Sequence, residues 1–198
     1  NLGAISDAGE WQAQFLWWNS ETQSNWLDGF IRTAVLLDDN IQLKKAEWLI
    51  NRLLQTQDKD GYIAIYDPEL RYNFDNENGE LWSKATLYRA LLGWYEYRKD
   101  PVLLTAIEKA VKNVMQHYPV NQSHPFYSVN PNAGGLTHGL AFTDVLEQLY
   151  LHTKKQDYLD YCLFLYKDFS AQLLNEDAQY KKLMQAALPL YGHGVHTY

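Results

Sequence analysis

Apolar positions recur along most of the chain at intervals of three and four residues, the period of one face of an α-helix. Trp26, Leu27, Phe30, Ile31, Ala34 and Val35 set the first stripe, and Leu43, Ala46, Leu49, Ile50, Leu53 and Leu54 set the second. The polar run Asp38-Asp39-Asn40 between them reads as a tight turn. The pattern returns from Leu81 to Tyr97, breaks at Lys99-Asp100-Pro101 and resumes from Val102 to Met115. It returns again from Leu140 to Leu151, breaks at Lys154-Lys155-Gln156 and resumes from Tyr158 to Leu174. Three antiparallel helical hairpins are predicted, and an all-α fold.

Leu43, Leu104 and Leu159 hold matching places after the three turns, which gives a repeat of 55 to 61 residues. That period is longer than tetratricopeptide or ankyrin units. Turns within hairpins are short, as antiparallel neighbours require. The connections between hairpins are long: Asp58 to Gly79, Tyr118 to Gly135 and Asn175 to Gly192. If the hairpins stack side by side, every long loop falls at one end, and long loops in a compact domain are commonly functional.

That end collects unusual chemistry. Trp17-Trp18-Asn19-Ser20-Glu21 precedes the first helix, and Asp60-Gly61-Tyr62 and Gly79-Glu80-Leu81-Trp82 precede the second hairpin. Asn132 to His138 precedes the third, and Tyr191-Gly192-His193-Gly194-Val195-His196 follows it. Each has a plain structural reading as well. Glu21 and Glu80 suit a helix's first turn, where the macrodipole favours a carboxylate. Asp60-Gly61 is a turn signal, and His138 after a Gly-Gly pair suits a hydrogen-bonded structural role. His193 and His196, spaced i, i+3, would share one face of a helix, a spacing open to metal ligands or sugar contacts. The lone cysteine, Cys162, sits in an apolar run and reads as core.

Composition narrows the function. Aromatics reach 15%, with seven Trp and fifteen Tyr, flat apolar faces with polar tips that fit sugar rings or fill a helical core. A net charge of −7 with no basic run argues against nucleic acid. No apolar run reaches the length of about 20 residues that spans a bilayer. A single cysteine excludes an internal disulfide and a cysteine-based zinc site within these residues. The chain begins Asn1-Leu2-Gly3 without Met; an upstream segment such as a signal peptide is expected to have been removed, favouring a periplasmic or secreted protein.

Trp26-Leu27-Asp28, then Leu54-Gln55-Thr56-Gln57-Asp58-Lys59-Asp60-Gly61-Tyr62-Ile63-Ala64-Ile65-Tyr66, resembles glycoside hydrolases of family 127, the β-L-arabinofuranosidase-like proteins. Glu80-Leu81-Trp82 is similar to the family's Glu-Leu-Tyr, and Tyr191 to His196 to its Gly-His-Ala-Val-Arg segment, whose His contacts the sugar. The resemblance runs in order through residues 17–198. It implies the N-terminal portion of one (α/α)6-barrel catalytic domain, a fragment of a longer protein, with residues 1–198 supplying the sugar-binding half. The match places the sugar-contacting role on His193; with the other residues gathered at the long-loop end, the expected substrate contacts are Trp17, Trp18, Glu21, Glu80, Trp82, His138, His193 and His196, with Trp17 and Trp18 as stacking platforms. The implied catalytic acid and zinc-held cysteine nucleophile fall beyond Tyr198, so no cofactor is expected within this chain, and zinc belongs to the full-length protein. One departure is Thr86, where the family carries a sugar-binding His. The expected partners are a carbohydrate and either the remainder of the barrel or a second copy to cover open helix faces. Two rivals stand beside this reading. One is another α/α-barrel sugar enzyme, either an unsaturated-uronyl hydrolase using Asp28 or an epimerase using His138 and His193. The other is a non-catalytic helical-repeat binding module, which predicts aromatics along one concave helix face.

Overall fold

The structure, a computed structural model, describes residues 4–5, 11–12, 17–73, 78–129 and 134–173. A two-residue antiparallel pair, β1 (Ala4–Ile5) and β2 (Trp11–Gln12), precedes the helices. The helices are α1 (Trp17–Leu36), α2 (Asn40–Leu54), α3 (Glu80–Arg98) and α4 (Pro101–His117), followed by the short α5 (Gly134–His138). A 3-10 turn over Gly139–Ala141 leads into α6 (Phe142–Thr153), and α7 (Gln156–Leu173) closes the described chain. The fold is all-helical apart from the β pair.

The three hairpin turns share one device. Asp38, Lys99 and Lys154 each take a left-handed conformation, with φ of 49°, 54° and 59°, and reverse the chain within a few residues. After the first two turns the following helix starts with its own side-chain cap. Asp39 Oδ1 accepts from the backbone N–H groups of Ile41 and Gln42 at 3.0 and 3.2 Å, and Asp100 Oδ1 accepts from Val102 N at 2.8 Å. Pro101 takes the first helical position, where its missing N–H costs nothing.

α1, α3 and α6 run parallel as an inner layer, and α2, α4 and α7 back them. The pairing along α1 and α3 proceeds in step. Ser20 faces Ser83, Glu21 faces Trp82, Asp28 faces Arg89, and Arg32 reaches Gly93 and Glu96. Along α3 and into α6, Leu81 meets Gly139, Tyr88 meets Phe142 and Tyr95 meets His152. The N-termini of α1 and α3, and the α5 and 3-10 segment that leads into α6, therefore lie at one end with the long loops.

α1 begins nine residues before the apolar stripe announces it. Its buried positions are Ser20, Ser24, Leu27, Ile31 and Ala34, spaced 4-3-4-3, with serines on the first two turns. Small residues there let α1 approach α3 closely, which a hydrophobic count cannot register. Trp26, placed on the apolar stripe by sequence, is 54% exposed and stacks on Phe30 instead. Trp17 to Glu21 are helical rather than a preceding loop. Gly134-Gly135, read as loop, opens α5.

α3 is the middle of the packing. From Glu80 to Trp94 every residue except Arg89 is buried, because α1, α4, α5 and α6 surround it. Ile31, Ala46, Ala85, Leu91, Ile107, Val111, Val145 and Leu149 form the core at the layer interface, each large aliphatic contributing about 1.5–3 kcal/mol by leaving water. Most of the aromatics whose burial is described are also buried, Tyr62, Tyr88, Phe126, Phe142, Tyr161 and Phe169 among them. Their hydroxyls tie loops to helices: Tyr88 donates to Ile63 O at 3.1 Å and Tyr161 to Tyr118 O at 2.9 Å. Cys162 is part of the packed layer, and burial pushes its thiol up to about 12. Among the described residues no helix is long and apolar enough to cross a membrane.

Candidate functional site

Two side-chain groups occupy the end where the inner helices begin. The first joins three separate stretches of sequence. Trp82, in the first turn of α3, donates its indole Nε1–H to Glu21 Oε2 of α1 at 3.1 Å. On its other side His138, the last residue of α5, lies with ring centroids 5.1 Å apart and planes tilted by 53°. Thr137 Oγ1 stands 3.3 Å from His138 Nδ1. Trp82 is almost covered, whereas Glu21 and His138 are half-buried. The indole thus acts as a spacer that aims a carboxylate and holds an imidazole against its ring.

The second group is fully enclosed. Glu80 and Lys84 are one helical turn apart on α3 and form an ion pair, Nζ to Oε2 at 2.7 Å, with side chains 1% and 0% exposed. Taking two charges out of water costs several kcal/mol each, so such a pair persists only where the geometry supplies further partners. Here it does. Tyr62 Oη donates to Glu80 Oε1 at 2.7 Å, and Lys84 Nζ lies 4.1 Å from the centroid of the Tyr62 ring and 4.6 Å from that of Tyr72. Arg71 covers the Tyr62 ring at 3.8 Å and pairs with Asp58 at 2.6 Å. Burial lowers the Lys84 ammonium below its ordinary range, with Glu80 pulling the other way. Burial, and then the Glu80 charge, raise Tyr62, Tyr72 and Tyr88 well above theirs.

These contacts anchor the loop of residues 55–79. Tyr62 N donates to Asp60 Oδ1 at 2.9 Å, and the Tyr66 hydroxyl accepts from Gly79 N at 2.8 Å just before α3 starts. Gln57 Nε2 reaches Gly61 O and Ala106 O at 3.0 and 2.9 Å. Gly61 has φ of +101°, and a Cβ there would sit 2.6 Å from Lys109 O, so the loop can pass α4 only with glycine at this point. The turn signal in Asp60-Gly61-Tyr62 is therefore a real turn, and its Tyr reaches Glu80.

The residues singled out from sequence separate accordingly. Glu21, Trp82 and His138 come together. Glu80 is at the same end, but its carboxylate is buried and already engaged by Tyr62 and Lys84, which sets it apart from the half-buried Glu21 and His138. Trp17 and Trp18 lie in the first turn of α1, and their side chains are outside the described part; His193 and His196 lie outside the described residues altogether. Thr86 directs its hydroxyl to its own helix, donating to Trp82 O at 3.2 Å and Ser83 O at 3.1 Å. Asp28 faces Arg32 at 2.8 Å and Arg89 at 3.9 Å, two turns further along α1 from Glu21. Among the described residues no group of three or more His, Cys, Asp or Glu side chains is placed to hold a metal ion.

Sequence reasoning missed Lys84. An i, i+4 Glu–Lys pair reads as a solvated helix face; the available signal was its setting, since α3 is apolar on every side. It missed Asn113 and Asp168 too. Asn113 Nδ2 donates to Asp60 Oδ2 at 3.1 Å and its Oδ1 accepts from Tyr72 Oη at 2.6 Å. Asp168 accepts from Phe126 N at 3.0 Å and pairs with His124 Nδ1 at 2.8 Å.

Fold and site together define a two-layer helical-hairpin protein with a carboxylate–indole–imidazole group where its inner helices begin. Comparison with models of known families, with characterised proteins and with solved structures gives no match.

Proposed function

We propose that this chain is the sugar-binding part of an α/α-barrel glycoside hydrolase similar to the β-L-arabinofuranosidases of family 127, acting on a plant-type or related polysaccharide. One observation carries the reading: Glu21, Trp82 and His138, remote in sequence, meet at the long-loop end of parallel inner helices. The second oxygen of Glu21 accepts from a sugar hydroxyl, and the His138 ring offers a polar edge beside it. Trp17 and Trp18, one turn ahead of Glu21, are the stacking platforms, and His193 contributes a further hydroxyl contact. Glu80 serves from behind by fixing the loop that leads into α3. The barrel continues the inner and outer layers on both flanks, and the catalytic acid and nucleophile come from the rest of it.

Asp28, the acid of the unsaturated-uronyl alternative, already faces two guanidinium groups, which favours the arabinofuranosidase-like reading over that one. The aromatics also disfavour a repeat scaffold, since most of the described ones fill the core rather than a continuous concave face.

The test is a titration of the chain with methyl β-L-arabinofuranoside and plant-wall oligosaccharides, followed through the Trp82 indole and His138 ring resonances. Saturable shifts are expected, weakened about tenfold by Glu21→Gln or His138→Ala, the size of one lost hydrogen bond to a charged group. Absence of saturable shifts with every saccharide would remove the proposal.

A further inference from the structure

In the second and third hairpins the second helix carries the loop that precedes the hairpin, and the support sits at the same place in both. Asn113 of α4 lies fourteen residues beyond the left-handed turn residue Lys99, and Asp168 of α7 lies fourteen beyond Lys154. Both are buried polar side chains, 1% and 7% exposed; the other buried positions of α4 are apolar, and those of α7 are apolar apart from Ser170. The two share a register but differ in type, and each type matches what faces it. Asn113 donates to the Asp60 carboxylate and accepts from the Tyr72 hydroxyl, which needs an amide with both functions. Asp168 takes the Phe126 N–H on one oxygen, while its other oxygen is shared by His124 Nδ1 and Gln172 Nε2, at 2.8 and 3.4 Å. That suits an acceptor-only carboxylate.

Each support leads to a different member of the Glu21–Trp82–His138 group. From Asn113 the path runs through Tyr72 and Asp60 to Tyr62, then to Glu80 and the first turn of α3, which holds Trp82. From Asp168 it runs through Phe126, whose ring packs edge-on against Phe169 with centroids 5.1 Å apart. A Cβ at Gly139 would come within 3.3 Å of that same Phe126 ring, and Gly139 follows His138 directly. We infer that Asn113 and Asp168 are positioning residues of the Glu21–Trp82–His138 group, one setting the indole and the other the imidazole. As a statement about sugar binding it rests on the function proposed above; as a statement about placement it does not.

The experiment uses the whole chain and four variants: Asn113→Asp, Asn113→Ser, Asp168→Asn and Asp168→Leu. Trp82 indole and His138 ring resonances are recorded without ligand, together with Tm, and each variant is then titrated with methyl β-L-arabinofuranoside. Asn113→Asp sets a carboxylate against Asp60 and should move the Trp82 indole most, with Asn113→Ser intermediate. Asp168→Leu should move His138 most. Asp168→Asn should be mild, because one acceptor oxygen remains and His124 can change tautomer. Affinity should fall roughly fivefold to tenfold in the Asn113→Asp and Asp168→Leu variants. Displaced resonances in a chain that shows no saccharide affinity would uphold the positioning role while removing the sugar reading. A lowered Tm with both sets of resonances in place would make the two residues packing elements only and overturn the inference.

Discussion

Glu21 and Glu80 look alike in sequence: each is an acidic residue near the start of an inner helix, within three residues of a Trp. In the folded chain they are opposites. Glu80 is sealed among Lys84, Tyr62, Tyr72 and Tyr88, while Glu21 is half-buried and holds an indole N–H. The difference comes from what packs around each helix. α3 is surrounded and encloses its first turn, whereas α1 has its flank with Trp26 in solvent. Chemical type and position along a helix therefore do not decide whether a carboxylate is structural or available. The neighbouring elements do.

The contrast can be broken most forcefully at Glu80. Glu80→Ala leaves the Lys84 ammonium buried without its counter-charge and should cost about 3–5 kcal/mol in urea denaturation. Adding Lys84→Met to it should recover much of that loss. A single variant as stable as the parent would deny Glu80 its anchoring role.

Alkaline pH sharpens the same point. Tyr62, Tyr72, Tyr88 and Tyr161 have folded pKa values raised above the usual 10, chiefly by burial. Above pH 10 the unfolded chain loses these protons and the folded chain keeps them. Stability should then fall by up to about 1.4 kcal/mol per pH unit for each such tyrosine. Denaturation at pH 9 and pH 11 checks it, and Tyr62→Phe should flatten the slope, since Phe has no proton to lose.

Glu21→Gln should behave differently from any change at Glu80. It keeps an acceptor for the Trp82 indole and should alter stability by only about 0.5–1.5 kcal/mol, the range for one hydrogen bond. Thermal melts of the two variants side by side measure the gap, and equal losses would erase the distinction.

The smallest effect is expected far from either glutamate. Partial burial works against ionisation of Glu108, but hydrogen bonds from Lys155 and Tyr158 outweigh it and hold its carboxyl below the ordinary range. A depressed carboxyl stabilises the fold above its unfolded pKa, and the contribution disappears as pH falls through the folded one. Glu108→Gln should accordingly lower Tm slightly at neutral pH and not at all near pH 2, as parallel melts would show.

Much of the helical layout was legible because apolar spacing tracks burial wherever the buried residues are apolar. α4 is the clear case, with Leu103, Ile107, Ala110, Val111 and Val114 both spaced and buried. Legibility failed where packing needs small or polar residues. Ser20 and Ser24 hide the start of α1, and Gly134-Gly135 hides α5. The gathering of Glu21, Trp82 and His138 at one end followed from alternating loop lengths, which is a topological argument. The enclosure of Glu80 did not follow, because it depends on Tyr62, Tyr72 and Lys84 arriving from different stretches of chain. No local pattern records that meeting.

α3 is touched by α1, α4, α5 and α6, while α2 and α7 lie at the margins of the described stack. Cooperativity should follow that geometry. In an array where each hairpin contacts only its neighbours, opening begins at the margins and reaches the middle last. Backbone amides from Ala85 to Trp94 should exchange with solvent only when the whole molecule unfolds. Those of α2 should exchange through smaller and more frequent openings. The first turn of α3, which carries both Glu80 and Trp82, would then keep its shape while the outer helices breathe.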